Sequence, residues 1–308
     1  MQGDVDVSVI IPTHDRAALL ALTLPRLLSQ ELEGATIELL VVDDGSPTDA
    51  TLAIVSSLGS PSLRLIRQPR GGSSAARNRA IRVARGRVLL FLDDDAFVGP
   101  HFIAGHLALH ASPDLRLVAG GIIQVRAIPD SIDESPGLRA YHRHPMPGGN
   151  SSAPAAAVRA LGGYDPWFSS YGWQDQELGE RLMTSGLRRS FAWRAPIYHY
   201  KPPAYDIDLR TQLVRERDRG RMGARFYYKH PRTTIGVATK MGPAVRALIR
   251  AADRAFSIEA LQTRVEEGQV DGAHVPPWRA ALLRARVESE AGARELARIR
   301  SAGAEPLR

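Results

Sequence analysis

Short apolar runs recur along the first third of the chain, each followed by a polar break and then by residues at helical spacing. Val7-Ser8-Val9-Ile10-Ile11 predicts a strand buried on both faces, and Pro12-Thr13-His14-Asp15-Arg16 ends it. Between Ala17 and Gln30 the leucines at 19, 20, 24, 27 and 28 share one helical face, with Pro25 predicting a kink. Ile37 to Val42 predicts the next strand, closed by Asp43-Asp44-Gly45-Ser46, and Thr48 or Asp49 can cap a helix through Leu58. Leu63 to Arg67 reads as a third strand, Gly71-Gly72-Ser73-Ser74 as a turn opening a helix through Ala84, and Val88 to Leu92 as a fourth strand. That strand runs directly into Asp93-Asp94-Asp95. Such alternation predicts a parallel sheet covered by helices on both faces. Right-handed crossovers bring the strand ends to one edge, where open α/β sheets bind ligands. Three of those ends are polar or acidic, so Pro12-Thr13, Asp43-Asp44 and Asp93 to Asp95 are expected to converge on one crevice.

The pattern changes after residue 100. A helix is expected from Pro100 to about His110, and a strand from Leu115 to Val125 interrupted by Gly120-Gly121. Arg126 to Gly149 has several prolines and no period, which predicts a long loop over the site. A short helix is expected over Ala153 to Leu161, then a Gly162-Gly163 turn, an aromatic loop from Trp167 to Trp173 and a helix from Gln174 to Ser185. Phe191 and Ile197 to Tyr200 predict short strands, and from about Asp208 the chain reads as helical, with breaks at Gly236 to Gly242 and Gly268 to Pro277.

The chemistry starts from the three adjacent carboxylates. They repel one another unless water or a cation screens them, so the segment is either a solvated acidic loop or a holder for a hard divalent ion. The chain has no cysteine, which excludes disulfides, thiolate metal sites and cysteine nucleophiles. The net charge of +7 is concentrated: Leu209 to Arg254 holds twelve Arg or Lys against three Asp or Glu. Such a block is either a solvated helical face or a contact for anionic lipid, nucleic acid or phosphorylated substrate. No apolar run approaches a membrane span, and Met1 to Asp6 lacks the basic start and apolar stretch of a signal peptide. A cytoplasmic protein is expected, with peripheral contact at the inner face of a membrane through the basic block, and no nucleic-acid partner.

Seven segments in order carry a resemblance: Val7-Ser8-Val9-Ile10-Ile11-Pro12-Thr13; Val41-Val42-Asp43-Asp44-Gly45-Ser46; Ala76-Arg77-Asn78; Phe91-Leu92-Asp93-Asp94-Asp95; Gly148-Gly149-Asn150; Gly162-Gly163-Tyr164-Asp165; and Gly172-Trp173-Gln174-Asp175-Gln176-Glu177-Leu178 with Arg181. Over residues 7 to 200 the chain resembles the family-2 glycosyltransferases of the GT-A fold. The resemblance implies an α/β, Rossmann-like, mostly parallel sheet flanked by helices. It divides the chain into a catalytic domain at 1–204, with a nucleotide-sugar half at 1–112 and an acceptor half at 113–204, and a basic helical extension at 205–308.

It also implies roles. Pro12, Thr13 and Asp15 lie beside the nucleotide, and Asp44 accepts a hydrogen bond from the base, typically the imide nitrogen of uracil. Arg77, Asp93 and Asp94 complete the donor site. Asp95 and Asp93, with His199 at the end of a later strand, hold Mn²⁺ or Mg²⁺. Asp175 is the general base, with Glu177 in reserve, and Asn150, Trp173 and Gln174 face the acceptor. The family usually has an acid just before the base; here Gln174 stands there. The partners implied are a nucleotide-sugar donor and a glycan, lipid-linked or other hydroxyl acceptor. The Gln-x-x-Arg-Trp pattern of processive synthases is missing after Asp175 and no membrane span is read, so transfer of single sugars is expected, and the resemblance implies inversion at the anomeric carbon. Two alternatives stay open: a sugar-phosphate nucleotidyltransferase, and a nucleotide-sugar-binding protein without catalysis.

Overall fold

The computed structural model describes residues 5–302 except 33, 113 and 204–206. Its core begins with four parallel strands in the order β3-β2-β1-β4: β1 (Val7–Thr13), β2 (Ile37–Asp44), β3 (Leu63–Gln68) and β4 (Val88–Leu92). Strand alternation sorts their side chains onto two faces. Val7, Val9, Ile11, Leu39, Val41 and Leu90 pack with the leucines of α1 (Ala17–Leu28) and with Val55 of α2 (Ala50–Leu58). Ile10, Leu40, Val42, Leu89 and Phe91 face the other way, onto Ala76 and Ala80 of α3 (Ser73–Val83). Pro25 falls inside α1, in its last turn, where it has no N–H to offer the Ala21 carbonyl.

The other half of the sheet departs from the parallel expectation. β5 (Ala96–Val98), β6 (Arg116–Val125), β7 (Asn150–Pro154) and β8 (Arg188–Tyr200) extend the order to β4-β7-β6-β8-β5. β7 is antiparallel to both neighbours, β6 and β8 are parallel, and β5 is antiparallel to β8. The helix expected from Ala153 starts instead at Ala155, as α5 (Ala155–Ala160). The polar run Asn150-Ser151-Ser152 before it forms a strand, with all three residues fully buried. No hydrophobic period marks such a strand: Asn150 and Ser152 are held by side-chain hydrogen bonds, and the Ser151 hydroxyl is buried with no hydrogen bond among the described residues. Phe191 and Ile197 to Tyr200 belong to one strand, β8, whose pairing with β6 slips between Gly120 and Ile122. The glycines at 120 and 121 therefore do not end β6; a Cβ at Gly120 would collide with the Asn150 amide, and one at Gly121 with Ala140. α4 (Phe102–His110) packs on β8 and β6, and α6 (Gln174–Thr184) carries Leu178 and Leu182 into the α3 side of the core.

Two compact units result: Met1–Pro166 with Asp175–Tyr205, and Trp167–Gln174 with Asp206–Arg308. The boundary expected between 204 and 205 lies outside the described residues. The second unit contains α7 (Leu209–Lys229), α8 (Thr233–Ala238), α9 (Pro243–Phe256), α10 (Ile258–Glu266) and α11 (Pro277–Ser301). Leu213, Ile258, Val265, Leu283 and Val287 form its core. Within it the aromatic loop docks on α7: Trp173 stacks on Phe226 at 5.8 Å and lies under the Arg219 guanidinium at 5.2 Å. Among the described residues no helix is long and apolar enough to cross a membrane.

Candidate active site

The three acids after β4 do different things. Asp94 turns inward, 5% exposed, and accepts from Thr13 Oγ1 at 2.7 Å and Arg16 Nη1 at 2.7 Å. Burial pushes its carboxyl up to about 6, against the pull of Arg16. Expected in the donor site, Asp94 instead joins β1 and the start of α1 to the acidic turn from behind. Asp95 accepts from Arg16 at 2.9 Å through Oδ2, while its Oδ1 lies 2.8 Å from His199 Nε2. Burial alone would raise the Asp95 carboxyl, but His199 and Arg16 together hold it below the ordinary carboxylate range. The partner is set by sheet register. β5 starts right after Asp95 and pairs antiparallel with the end of β8, Ala96 opposite His199, and the Tyr200 N–H donates to the Asp95 carbonyl at 2.9 Å.

Asp93 is the most exposed of the three and accepts from Arg77 Nη2 at 2.9 Å. One donor atom from each of Asp93, Asp95 and His199 fits within a 4.8 Å span. Two carboxylates with an imidazole are a donor set that could hold a divalent cation.

Arg77 is the hub. It sits on α3, 3% exposed, and its guanidinium donates to Asp93 and to the Gly148 carbonyl at 3.1 Å, lies 3.5 Å from Asp175 Oδ1 and covers the Tyr164 ring at 5.6 Å. The carboxylates keep it charged despite burial. Asp175, in the first turn of α6, also accepts from Tyr164 Oη at 3.1 Å. Burial raises the Asp175 carboxyl, Arg77 opposes the rise and Asp93 adds to it. Burial and the Asp175 charge hold the Tyr164 phenol in its protonated, donating form. The Gly148-Gly149 pair lets the chain pass close by, since a Cβ at Gly148 would strike Asp175 and one at Gly149 would strike Asp93. Glu177, two residues on from Asp175, is wholly buried in an ion pair with Arg181 at 2.8 Å, so it is not in reserve as a base.

At the end of β2, the Asp44 carboxylate is 5% exposed and receives three hydrogen bonds. Oδ1 accepts from Gln68 Nε2 at 2.7 Å and from Gly71 N at 2.8 Å; Oδ2 accepts from Gly72 N at 2.8 Å. His14 Nδ1 lies 3.0 Å from the Asp44 carbonyl, and Asp15, at φ 53°, donates its N–H to Ser46 Oγ at 2.9 Å. Pro12, Thr13, Asp15 and Asp44 therefore line the carboxyl ends of β1 and β2 as expected.

Asn150 differs from its expected acceptor role. It is fully buried, its Nδ2 donates at 2.9 Å to the carbonyls of both Gly121 and Ala195, and its Oδ1 lies 2.8 Å from His106 Nε2. It locks β7 to β6 and β8. Trp173 is in the helical unit, at φ 68° and 8% exposed, and the Gln174 Oε1 is buried with no hydrogen bond among the described residues. Arg16, Tyr164 and the Gly71-Gly72 turn carry contacts that the sequence did not reveal. Arg16 and Asp94 are 78 residues apart, and only the fold makes them neighbours.

A four-stranded parallel half, a mixed second half and flanking helices are the architecture of the GT-A fold. Residues 8–148 match the family described as glycosyl transferase family 2. Validoxylamine A glucosyltransferase of Streptomyces hygroscopicus subsp. jinggangensis is 30% identical over 234 residues, 62% of this chain and 55% of that protein. The chain thus spans about half the length of the curated relatives it matches. Among solved structures, the mannosyltransferase PcManGT from Pyrobaculum calidifontis, in complex with GDP-Man and Mn²⁺, superposes with a TM-score of 0.63 at 20% identity, over 95% of this chain and 87% of that one. S. aureus TarS 1-349 with UDP-GlcNAc gives 0.54 at 17% identity, over 96% and 92%.

Proposed function

We propose that the chain is a metal-dependent, inverting glycosyltransferase that moves one sugar from a UDP-sugar to an acceptor hydroxyl, with Asp175 as general base. The observation that carries this reading is the double grip of Arg77. One buried guanidinium holds Asp93, which can ligate a metal, and Asp175, which can take a proton. Donor and acceptor chemistry are thereby placed on two arms of one side chain.

A divalent cation, when bound, would neutralise the charge growing on the leaving diphosphate. Asp93, Asp95 and His199 would hold it. Asp175 accepts the acceptor's O–H proton as that oxygen attacks the anomeric carbon; the electron pair of the breaking C–O bond leaves with the diphosphate. Burial makes Asp175 a stronger base than a surface aspartate, and Arg77 and Tyr164 orient it. The base preference follows from Asp44. A carboxylate offers about four lone-pair sites, and protein donors take three of them, which leaves room for about one more donor. Uracil presents a single imide N–H; guanine presents an N–H and an amino group side by side. Names of similar proteins support the class: a glucosyltransferase, a mannosyltransferase with GDP-Man and Mn²⁺, and TarS with UDP-GlcNAc.

The test is thermal stabilisation by UDP, GDP and UDP-sugars, with and without Mn²⁺, together with donor turnover, on the native chain and on Asp175→Asn. Ligand at a hundred times its Kd should add about 2.7 kcal/mol to stability. UDP is expected to stabilise only with the metal, and Asp175→Asn to keep that binding while losing at least about 100-fold in turnover. Unchanged turnover removes Asp175 from the mechanism, and stabilisation by GDP alone overturns the base assignment.

A further inference from the structure

The basic block of the helical unit is not uniform. On α7, Arg217, Arg219, Arg221 and Arg225 are engaged by Glu266, Glu288, Asp218 and Glu295. Arg217, Arg219 and Arg225 tie α7 to α10 and α11, and Arg221 pairs within α7; Arg210 and Arg215, near its start, make no ion pair among the described residues. On α9, by contrast, Arg246, Arg250 and Arg254 make no ion pair among the described residues, while Asp253, the one acid of that helix, is turned inward onto Arg286 at 2.9 Å.

α9 also buries none of its residues. Its exposed positions are Pro243, four alanines, Leu248, Phe256 and the two arginines Arg250 and Arg254. The exposed face therefore contains no acid and no uncharged polar side chain. Leu248 is 71% exposed and Phe256 48%. The start of α11 continues the patch: Trp278, 52% exposed, meets Phe256 edge-on at 5.3 Å, and Arg279 covers the indole at 5.9 Å while donating to the Phe256 carbonyl at 3.0 Å. That hydrogen bond ties the two segments together at Phe256.

We propose that the outer face of α9, with Trp278, lies on the surface of an anionic lipid bilayer, the helix axis in the membrane plane. Leu248, Phe256 and the indole would enter the headgroup–acyl boundary, and the unpaired arginines would reach the anionic headgroups beside them. Charge complementarity and the absence of hydrogen-bonding groups between the arginines favour lipid. A nucleic acid would engage the arginines and leave Leu248 and Phe256 in water. The inference is independent of the catalytic reading, since it concerns a face that carries none of the residues placed in the site.

The experiment is co-sedimentation of the full chain with phosphatidylcholine vesicles, with and without phosphatidylglycerol, at low and at physiological salt. Binding is expected only with phosphatidylglycerol and should weaken as salt rises. Arg250→Gln with Arg254→Gln should weaken it about thirtyfold. Leu248→Gln with Phe256→Gln should weaken it at least about tenfold at physiological salt, and Leu248→Gln alone, at a side chain 71% exposed, should weaken it with the melting temperature unchanged. A blue shift of indole fluorescence on binding should disappear in Trp278→Phe. Failure of the native chain to bind phosphatidylglycerol vesicles at low salt overturns the proposal. So does equal binding to pure phosphatidylcholine, or undiminished binding by both double variants. Donor turnover with a soluble acceptor should be the same in all variants, which separates this result from any failure of the catalytic reading.

Discussion

Replacing Arg77 by Met tests both the stability and the chemistry of the site. The native guanidinium is 3% exposed and is the cation shared by Asp93 at 2.9 Å and Asp175 at 3.5 Å. Methionine keeps an apolar stem over Tyr164 but takes from two carboxylates the cation they share, leaving Asp175 only the Tyr164 hydroxyl. Breaking a buried ion pair by removing one member costs about 3–5 kcal/mol. The lower end applies, about 3 kcal/mol, because the side chains of Asp93 and Asp175 are 33% and 17% exposed and water screens them in part. The sign with pH follows from linkage. Losing the cation raises the folded-state pKa of Asp175 further, because Arg77 is what opposes the effect of burial there. A raised carboxyl contributes stability below its unfolded value, near 4, and loses it as pH rises through the folded value. The deficit of the variant is thus full near neutrality and shrinks on acidification. Urea unfolding of native and Arg77→Met chains at pH 7.5 and 4.5 measures it; the gap should narrow by at least about 1 kcal/mol at the lower pH. The acid limb of kcat/KM should move upward, because Asp175 has lost the charge that held it ionised. A deficit equal at both pH values would refute the electrostatic account and leave only lost packing.

Two further outcomes follow from the buried polar cluster beneath β7. His106 and His110 are pushed down to about 3 and about 4 by burial, and they share Ser152 Oγ at 2.9 and 2.8 Å. Both are neutral in the fold and titrate near 6.5 when unfolded, so stability should fall below that pH by up to about 1.4 kcal/mol per unit for each, and His106→Gln should flatten the urea-derived profile. Asn150→Ala strands the Gly121 and Ala195 carbonyls and the His106 ring, and should cost about 3 kcal/mol by chemical denaturation; a loss below about 0.5 kcal/mol would return Asn150 to a surface role.

The parallel half of the fold was legible because its strands are apolar on both faces and its helices repeat at 3.6 residues. Both signals are local. β7 was not, because Asn150, Ser151 and Ser152 are buried as polar side chains, and burial without hydrophobicity leaves no period to read. β5 was missed for its length of 3 residues. The basic block was visible as composition, but only the structure separates Arg217, Arg219, Arg221 and Arg225, paired with acids of the helical unit, from Arg250 and Arg254, which face solvent.

By itself the sequence determined which acids the chain presents and where the strands deliver them: Asp44 after β2, Asp93 to Asp95 after β4, Asp175 at the start of α6. Tertiary structure decided their roles. Sheet register put His199 beside Asp95, burial took Asp94 to Thr13 and Arg16, and α3 aimed one arginine at both Asp93 and Asp175. Spacing along a chain specifies residue type and local geometry, but which carboxylate meets a cation, a proton donor or water depends on groups brought together from distant segments.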